Sequence, residues 1–196
     1  MTPDDDGGGT QLRDDAAVRR TAGRATRRLV LLLAILGTIG CDRVTKHLAS
    51  TTLAEGPDRS YLGDTIRLEY VRNPGGFLSL GATLPPAVRA AVFTVATGTM
   101  LVLVTVAALR RGLSGWPALG LALFVSGGLS NWADRVTHGS VVDFLNVGIG
   151  SLRTGVFNVA DVAIMVGAGL FAVTQLRGGS TAATPPPAGD GVGHPC

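Results

Sequence analysis

Four blocks of apolar residues divide the middle of the chain. A helix that crosses roughly 30 Å of hydrocarbon needs about 20 residues. The second and third blocks are uncharged throughout, and the fourth has two polar residues near its start. The first block, 29–40, reaches spanning length only if its helix continues to about residue 48. The pattern predicts an all-α polytopic membrane protein with four transmembrane helices, at 29–48, 90–109, 113–133 and 156–176.

Both ends of the chain lack apolar periodicity. Residues 1–27 contain a Gly triplet, five aspartates and several arginines, and residues 178–196 contain three consecutive prolines and scattered glycines. Such compositions are typical of disordered segments. We therefore predict a disordered N-terminal extension at 1–27, a four-helix membrane domain at 28–177 and a disordered tail at 178–196.

Arginines cluster beside the apolar blocks and indicate their orientation. Several precede the first block, Arg110 and Arg111 lie between the second and third, and Arg177 follows the fourth. Because cytoplasmic loops carry an excess of Lys and Arg, we predict that both termini are cytoplasmic. The segments 49–85 and 134–155 are then extracytoplasmic.

The first of these outer segments contains a pattern of its own. Residues 65–71 alternate between polar and apolar, as in a half-exposed strand. An Asn-Pro-Gly-Gly sequence at 73–76 is typical of a turn, and residues 77–80 are able to return as a second strand. We predict a small β-hairpin, or cradle, on the outer membrane surface.

Composition agrees with a membrane protein. Hydrophobic residues make up 46% of the chain and charged residues 16%, with a mean hydropathy of +0.35. An ordinary soluble domain has about a quarter of its residues charged. The net charge is +3, but aromatic residues make up only 5% and the arginines flank apolar blocks, so no nucleic-acid partner is indicated.

Polar residues converge at the predicted outer face. Ionisable residues at a membrane edge are costly and are therefore candidates for function. Spacings of three and four residues place Asn131, Asp134 and Arg135 on one helical face, and Asn158 and Asp161 share a face in the same way. The converging residues are Asp42, Asn131, Asp134, Asp143, Asn158 and Asp161.

Paired carboxylates at a partly dry site favour acid–base chemistry. Two neighbouring carboxylates do not both ionise easily, so the pair supplies a general base together with a general acid. Proteolysis by paired aspartates is the chemistry that fits best. A triad of Ser140, His138 and Asp134 would depend on adjacency alone, and the cluster has no paired His or Cys spacing, so no metal is expected.

Each carboxylate also has a structural alternative. Asp134 can form an interfacial ion pair with its neighbour Arg135. Asp161 can be a helix N-terminal residue that the dipole favours, and Asp143 can be a buried structural hydrogen-bonding group. Asp42, with the adjacent arginine, can be an interface anchor.

Five motifs, in order along the chain, resemble those of the lipoprotein signal peptidases, also called signal peptidase II. Together they cover roughly residues 28–177. They are D-x-x-[ST]-K at 42–46, R-N-x-G at 72–75, G-x-x-x-N-x-x-D-R at 127–135, V-V-D-F at 141–144 and F-N-x-A-D at 157–161.

The resemblance implies a membrane peptidase that acts without a cofactor. It would remove signal peptides from diacylglyceryl-modified prolipoproteins, cleaving just before the lipidated cysteine. The aspartyl dyad of the family maps to Asp143 and Asp161. The residues that map to the substrate site are Asn73, Asn131, Arg135 and Asn158. The residues expected to give structural support are Asp42, Lys46 and Asp134.

The resemblance also implies surroundings and partners. The enzyme would lie in the bacterial inner membrane as a multi-pass protein, with its active site at the extracytoplasmic face. Its partners would be lipid-modified prolipoproteins and membrane lipids, and we expect a monomer.

Two other functions are consistent with parts of the pattern. One is that the chain is itself a lipoprotein, because arginines, a short apolar run and Gly40-Cys41 resemble a signal peptide with a lipobox. Three further apolar blocks argue against this function. The other is a proton-linked transporter, but transporters place ionisable residues near the bilayer midplane and often contain repeats.

Overall fold

Long helices form most of the molecule. The computed structural model describes residues 7–76, 81 and 83–179. The helices are α1 (Gly7–Thr52), α2 (Pro86–Ala90), α3 (Thr97–Arg111), α4 (Trp116–His138) and α5 (Val159–Gly179), with a π-helical segment (Ala91–Ala96) joining α2 to α3.

Each of the four predicted spans coincides with one long helical stretch. Within the described residues, Pro86–Arg111 and Val159–Arg177 are long and apolar enough to cross a membrane. That α1 and α4 also span stays a prediction. α4 is a continuous helix, but its apolar sequence contains small and polar residues, several of them buried. These residues lower its hydrophobicity without changing its length.

α1 is longer than the predicted first span. Its 46 residues start at Gly7, so residues 7–27 are helical where the sequence predicts a disordered extension. This stretch contains Ala, Arg, Leu and Gln, which favour helix, and adding turns to an existing helix needs no new nucleus. The predicted tail at 178–196 lies outside the described residues from 180 onward.

Glycines let α4 and α5 pack closely. A Cβ on Gly167 would lie 2.5 Å from the carbonyl oxygen of Gly120 and 2.5 Å from the backbone nitrogen of Phe124. Such contacts between small residues are typical of helix pairs in membranes, where the backbones approach each other directly. This pairing places the first turn of α5 beside the last turns of α4.

Replacing Gly167 by Ala is therefore expected to be strongly destabilising. Because the added methyl group would meet backbone atoms of α4, the two helices must separate, and overpacking of this kind costs about 1–3 kcal/mol or more. The matched control is Gly169→Ala in the same helix, where a Cβ meets nothing within 4 Å. Thermal unfolding of both variants in one detergent measures the difference. Equal melting temperatures would contradict the close approach.

A four-stranded antiparallel sheet covers one end of the helices. Its strands are β1 (Arg59–Tyr61), β2 (Ile66–Asn73), β3 (Val141–Ile149) and β4 (Leu152–Arg153), in the order β1-β2-β3-β4. The apolar residues of the sheet pack on the end of α1, around Ala49, Leu53 and Phe144.

The sheet corrects the predicted hairpin. The predicted strand at 65–71 is confirmed as β2, but its neighbours are β1 and β3. The predicted return strand at 77–80 lies outside the described residues. Pairing with β3 is favourable because both strands carry apolar residues that the end of α1 covers.

The register of β2 and β3 decides which side chains face the helices. Val71 lies opposite Asp143, and a register shift lies between Leu68 and Val71. Since alternate residues of a strand point to the same face, Asn73 and Asp143 share one face of the sheet. Arg72 lies opposite Val142, on the other face.

Candidate active site

Two buried carboxylates meet where the sheet contacts the helix ends. Asp143 lies in β3, and Asp161 lies in the first turn of α5. Their exposed fractions are 2% and 7%. The two residues come from different elements, so only the tertiary fold brings them together.

Asn158 joins the two carboxylates. Its side-chain Nδ2 donates to Asp143 Oδ1 at 2.6 Å, and its backbone N–H donates to Asp161 Oδ2 at 3.1 Å. Asn158 is completely buried. One residue thus fixes the positions of both acids.

The spacing of Asn158 and Asp161 has a local structural cause. Asn158 immediately precedes α5, and its Oδ1 accepts a hydrogen bond from the backbone N–H of Asp161 at 3.0 Å. With the reverse bond from Asn158 to the Asp161 carboxylate, the pair forms a reciprocal cap of the helix N-terminus. The predicted helix N-terminal role of Asp161 is therefore present, and it holds the carboxylate in a fixed direction.

Two further amides complete the surroundings of the acids. Asn73 Nδ2 donates to Asp143 Oδ2 at 2.8 Å, and Asn131 Nδ2 donates to Asp161 Oδ1 at 2.9 Å. Asn158 Nδ2 also reaches Asn131 Oδ1 at 3.2 Å. The three asparagines predicted to line the substrate site thus converge on the two carboxylates.

Arg135 holds the turn after β2. Its Nη2 donates to the carbonyl oxygen of Gly75 at 2.7 Å, and its guanidinium carbon lies 6.0 Å from the centre of the Phe93 ring. Within the turn, Asn73 Oδ1 accepts a hydrogen bond from the N–H of Gly75 at 2.9 Å. Arg135 therefore connects α4 to the turn that positions Asn73.

Asp42, Lys46 and Asp134 form a buried ionic network beneath the acids. Lys46 Nζ lies 2.7 Å from Asp42 Oδ2 and 2.7 Å from Asp134 Oδ2. It also donates to Asn131 Oδ1 at 2.8 Å. The network therefore contacts Asn131, the residue that donates a hydrogen bond to Asp161.

Asp134 does not pair with its neighbour Arg135. It forms salt bridges with Lys46 and Arg43 instead. Consecutive residues of a helix do not face each other, which explains why the ion pair suggested by adjacency in sequence does not form.

Ser130 and the backbone of Ala160 are functional contacts that sequence reasoning missed. Ser130 Oγ donates to Asp42 Oδ2 at 2.7 Å, and the Ala160 N–H donates to Asp42 Oδ1 at 3.0 Å. Asp42 thus connects α1 to the start of α5, and because it is completely buried it is not the interface anchor given above as its structural alternative. The signal in the sequence was the position of Ser130 within the motif at 127–135.

Burial changes the acidity of Asp143. Removal from water raises the pKa of its carboxyl group above the ordinary value, while the hydrogen bonds from Asn73 and Asn158 oppose that rise. A pair of close carboxyl groups, one of which keeps its proton more readily than a surface aspartate, is able to act as acid and base together.

The rival chemistries lack a comparable arrangement in the described part of the chain. His138 Nδ1 lies 2.7 Å from Thr137 Oγ1, and the His138 side chain is exposed. No group of three His, Cys, Asp or Glu side chains suited to a metal ion occurs among the described residues.

Comparisons with known proteins find relatives over most of the chain. The family model described as signal peptidase (SPase) II matches residues 34–177. The lipoprotein signal peptidase of Mycobacterium leprae is 36% identical over 159 residues, which cover 78% of this chain and 74% of that protein. The one from Leifsonia xyli subsp. xyli is 32% identical over 170 residues, covering 84% and 74%.

A solved structure shares the fold. A bacterial membrane enzyme determined by the in meso method at 2.3 Å resolution superposes with a TM-score of 0.69 at 24% identity. The match covers 79% of this chain and 92% of that one.

Proposed function

The chain belongs to the signal peptidase II family, and from that premise we propose that it is an aspartic peptidase that removes signal peptides from diacylglyceryl-modified prolipoproteins. Cleavage occurs just before the lipidated cysteine. The observation that carries the proposal is the bridge from Asn158 to both Asp143 and Asp161. A proton-linked transporter is not favoured, because the matching family consists of peptidases.

The reaction needs one proton shared between the two carboxyl groups. The ionised carboxylate takes a proton from a water molecule, and the oxygen of that water attacks the scissile carbonyl carbon. The protonated carboxyl group gives its proton to the leaving amine as the C–N bond breaks. Burial of Asp143 favours the shared-proton state because it disfavours two charges at the site.

The asparagines keep the acids in place for these transfers. Asn73 and Asn158 each donate to one oxygen of Asp143, and Asn131 donates to Asp161. Preorganised donors of this kind cost no rearrangement during the reaction. The same asparagines line the site that is proposed to receive the substrate backbone.

Orientation in the membrane follows from the helix ends. The acids lie near the C-terminal end of α4 and the N-terminal end of α5, whereas Arg110, Arg111 and Arg177 lie at the opposite ends of α3 and α5. By the positive-inside rule these arginines are cytoplasmic. The site then lies at the extracytoplasmic boundary, where the substrate lipid remains in the bilayer while its backbone reaches the acids.

A matched pair of substrates tests the proposed function. We expect purified protein in detergent or lipid to cleave a diacylglyceryl-modified prolipoprotein, seen as a gel shift, and to leave its unmodified twin intact. Equal cleavage of both would overturn the lipid requirement. No cleavage by protein shown to be folded would overturn the proposed activity.

Replacing Asn73 by Ala is expected to move the active pH range upward. Asn73 donates a hydrogen bond that holds the pKa of Asp143 down. Without this bond the pKa rises further, so the state with one shared proton persists to higher pH. The measurement is the pH dependence of kcat.

The matched control for this shift is Asn146→Ala in β3, the strand that contains Asp143. Asn146 accepts a hydrogen bond from Arg153 at 2.7 Å, and its profile is expected to match the wild type. A shift of the Asn73→Ala profile to lower pH would contradict the assignment of Asp143 as a titrating acid.

A further inference from the structure

A polar cavity lies on the face of the sheet opposite the face that carries Asn73 and Asp143. It encloses about 270 Å³, and we call it the basic pocket. Its charged and ionisable lining consists of Arg43, Lys46, His47, Arg72, His138 and Asp134. The volume is close to the lower limit of about 300 Å³ for small-ligand sites.

Strand alternation separates the basic pocket from the acids. Arg72 and Asn73 are consecutive in β2, so their side chains point to opposite faces. Asn73 binds Asp143, while Arg72, opposite Val142 in the register, lines the basic pocket. The proposed cleavage chemistry does not use Arg72.

Positive charge exceeds negative charge in the basic pocket. Lys46 and Arg43 are both paired with Asp134. Arg72 is different, because its hydrogen bond in the described structure goes to the hydroxyl of Tyr70 at 3.3 Å and none of the salt bridges found there includes it. Its charge therefore remains available to an anion.

We propose that the basic pocket binds the phosphate group of an anionic phospholipid. A guanidinium group presents a planar fork of donors that matches phosphate oxygens. Arg72 and the exposed part of Arg43 supply such forks, and His47 and His138 add ring nitrogens beside them.

The neighbouring surface favours a lipid over free phosphate. Val44 and Leu48 follow Arg43 and His47 directly in α1, and their exposed fractions are 60% and 53%. A helix that presents apolar side chains beside cationic ones suits a membrane interface, where the head group meets the charge and the acyl chains lie along the apolar surface. The pocket lies at the same end of α1 as the sheet, which is the proposed outer boundary of the membrane.

Native mass spectrometry of the delipidated full-length protein tests this site. Phosphatidylglycerol is expected to bind more tightly than diacylglycerol with the same chains. Arg72→Gln is expected to weaken phosphatidylglycerol binding about tenfold, as for the loss of one charged hydrogen bond. The matched control is Arg59→Gln, which removes an exposed arginine of β1 outside the pocket and is expected to bind like the wild type.

A second variant tests anion binding by the basic pocket without removing an arginine. Ser140→Asp adds a carboxylate to the lining and is expected to weaken phosphatidylglycerol binding through repulsion. Equal binding of phosphatidylglycerol and diacylglycerol, or equal losses in Arg72→Gln and Arg59→Gln, would overturn the proposal. Inorganic phosphate that binds as tightly as phosphatidylglycerol would overturn the lipid as its source.

Discussion

Asp161→Asn is expected to lower the rate of prolipoprotein cleavage by about 10³-fold, the scale of general acid–base catalysis. Asp143→Asn is expected to have the same effect. An amide takes up no proton from water and donates none to a leaving amine, so either variant leaves one acid without its partner. The measurement is single-turnover cleavage of the modified prolipoprotein at saturating enzyme.

The hydrogen bonds at the site predict a modest loss of stability in the same variants. Both oxygens of Asp143 accept from Asn73 and Asn158. The NH₂ group of an introduced Asn would face one of these donors, at a cost of about 1–3 kcal/mol. Activity must therefore be compared at a temperature at which each variant is shown to be folded.

Two observations separate lost chemistry from lost structure. A folded Asp161→Asn variant is expected to form a stable complex with the uncleaved, modified prolipoprotein. The control Asp64→Asn makes the same chemical change at the sheet tip, where Asp64 pairs with Arg67 and Arg153, and is expected to cleave normally. Turnover within tenfold of wild type by both dyad variants would contradict the assignment.

Local spacing predicted one half of the site well. Asn158 and Asp161 are three residues apart, and their reciprocal cap depends only on the start of α5. Such contacts need no knowledge of the tertiary fold, because the helix geometry sets them. The four helical stretches were predictable for the same reason, since length and hydrophobicity are local properties.

The other half of the site depends on contacts between distant residues. Asn73 reaches Asp143 because β2 pairs with β3, about 70 residues later in the chain. The sequence near β2 instead predicted a local hairpin, because the residues at 73–76 are typical of a turn. Pairing of short strands depends on what covers them, and here the end of α1 covers both. The family resemblance, not the pattern, supplied the pairing of the two acids.

Lys46 is the residue for which we expect the largest effect on stability. Its ammonium group is buried and lies between the carboxylates of Asp42 and Asp134. In Lys46→Met, two buried negative charges lose their shared cation, a change that typically costs about 3–5 kcal/mol. For a chain of this size the melting temperature should fall by about 10 °C.

A double variant tests whether the unpaired charge causes this loss. Lys46→Met combined with Asp42→Asn removes the carboxylate that the described structure pairs in a salt bridge with Lys46 alone, so the double variant is expected to lose less stability than the sum of the two single losses. Arg43→Gln is the control, because Arg43 also pairs with Asp134 but its side chain is 41% exposed, where an ion pair contributes about 1 kcal/mol or less. Equal melting temperatures for Lys46→Met and Arg43→Gln would contradict the role of burial.

Lys46→Met should also lower the rate of cleavage. Lys46 donates to Asn131 Oδ1, and the Nδ2 of that amide donates to Asp161. Without Lys46, the Asn131 amide loses the shorter of the two hydrogen bonds that its Oδ1 accepts, and the bond from Asn158 at 3.2 Å alone orients it. Folded Lys46→Met is therefore expected to show a lower kcat with little change in KM, whereas a purely structural role predicts normal kcat per folded molecule at a temperature well below melting.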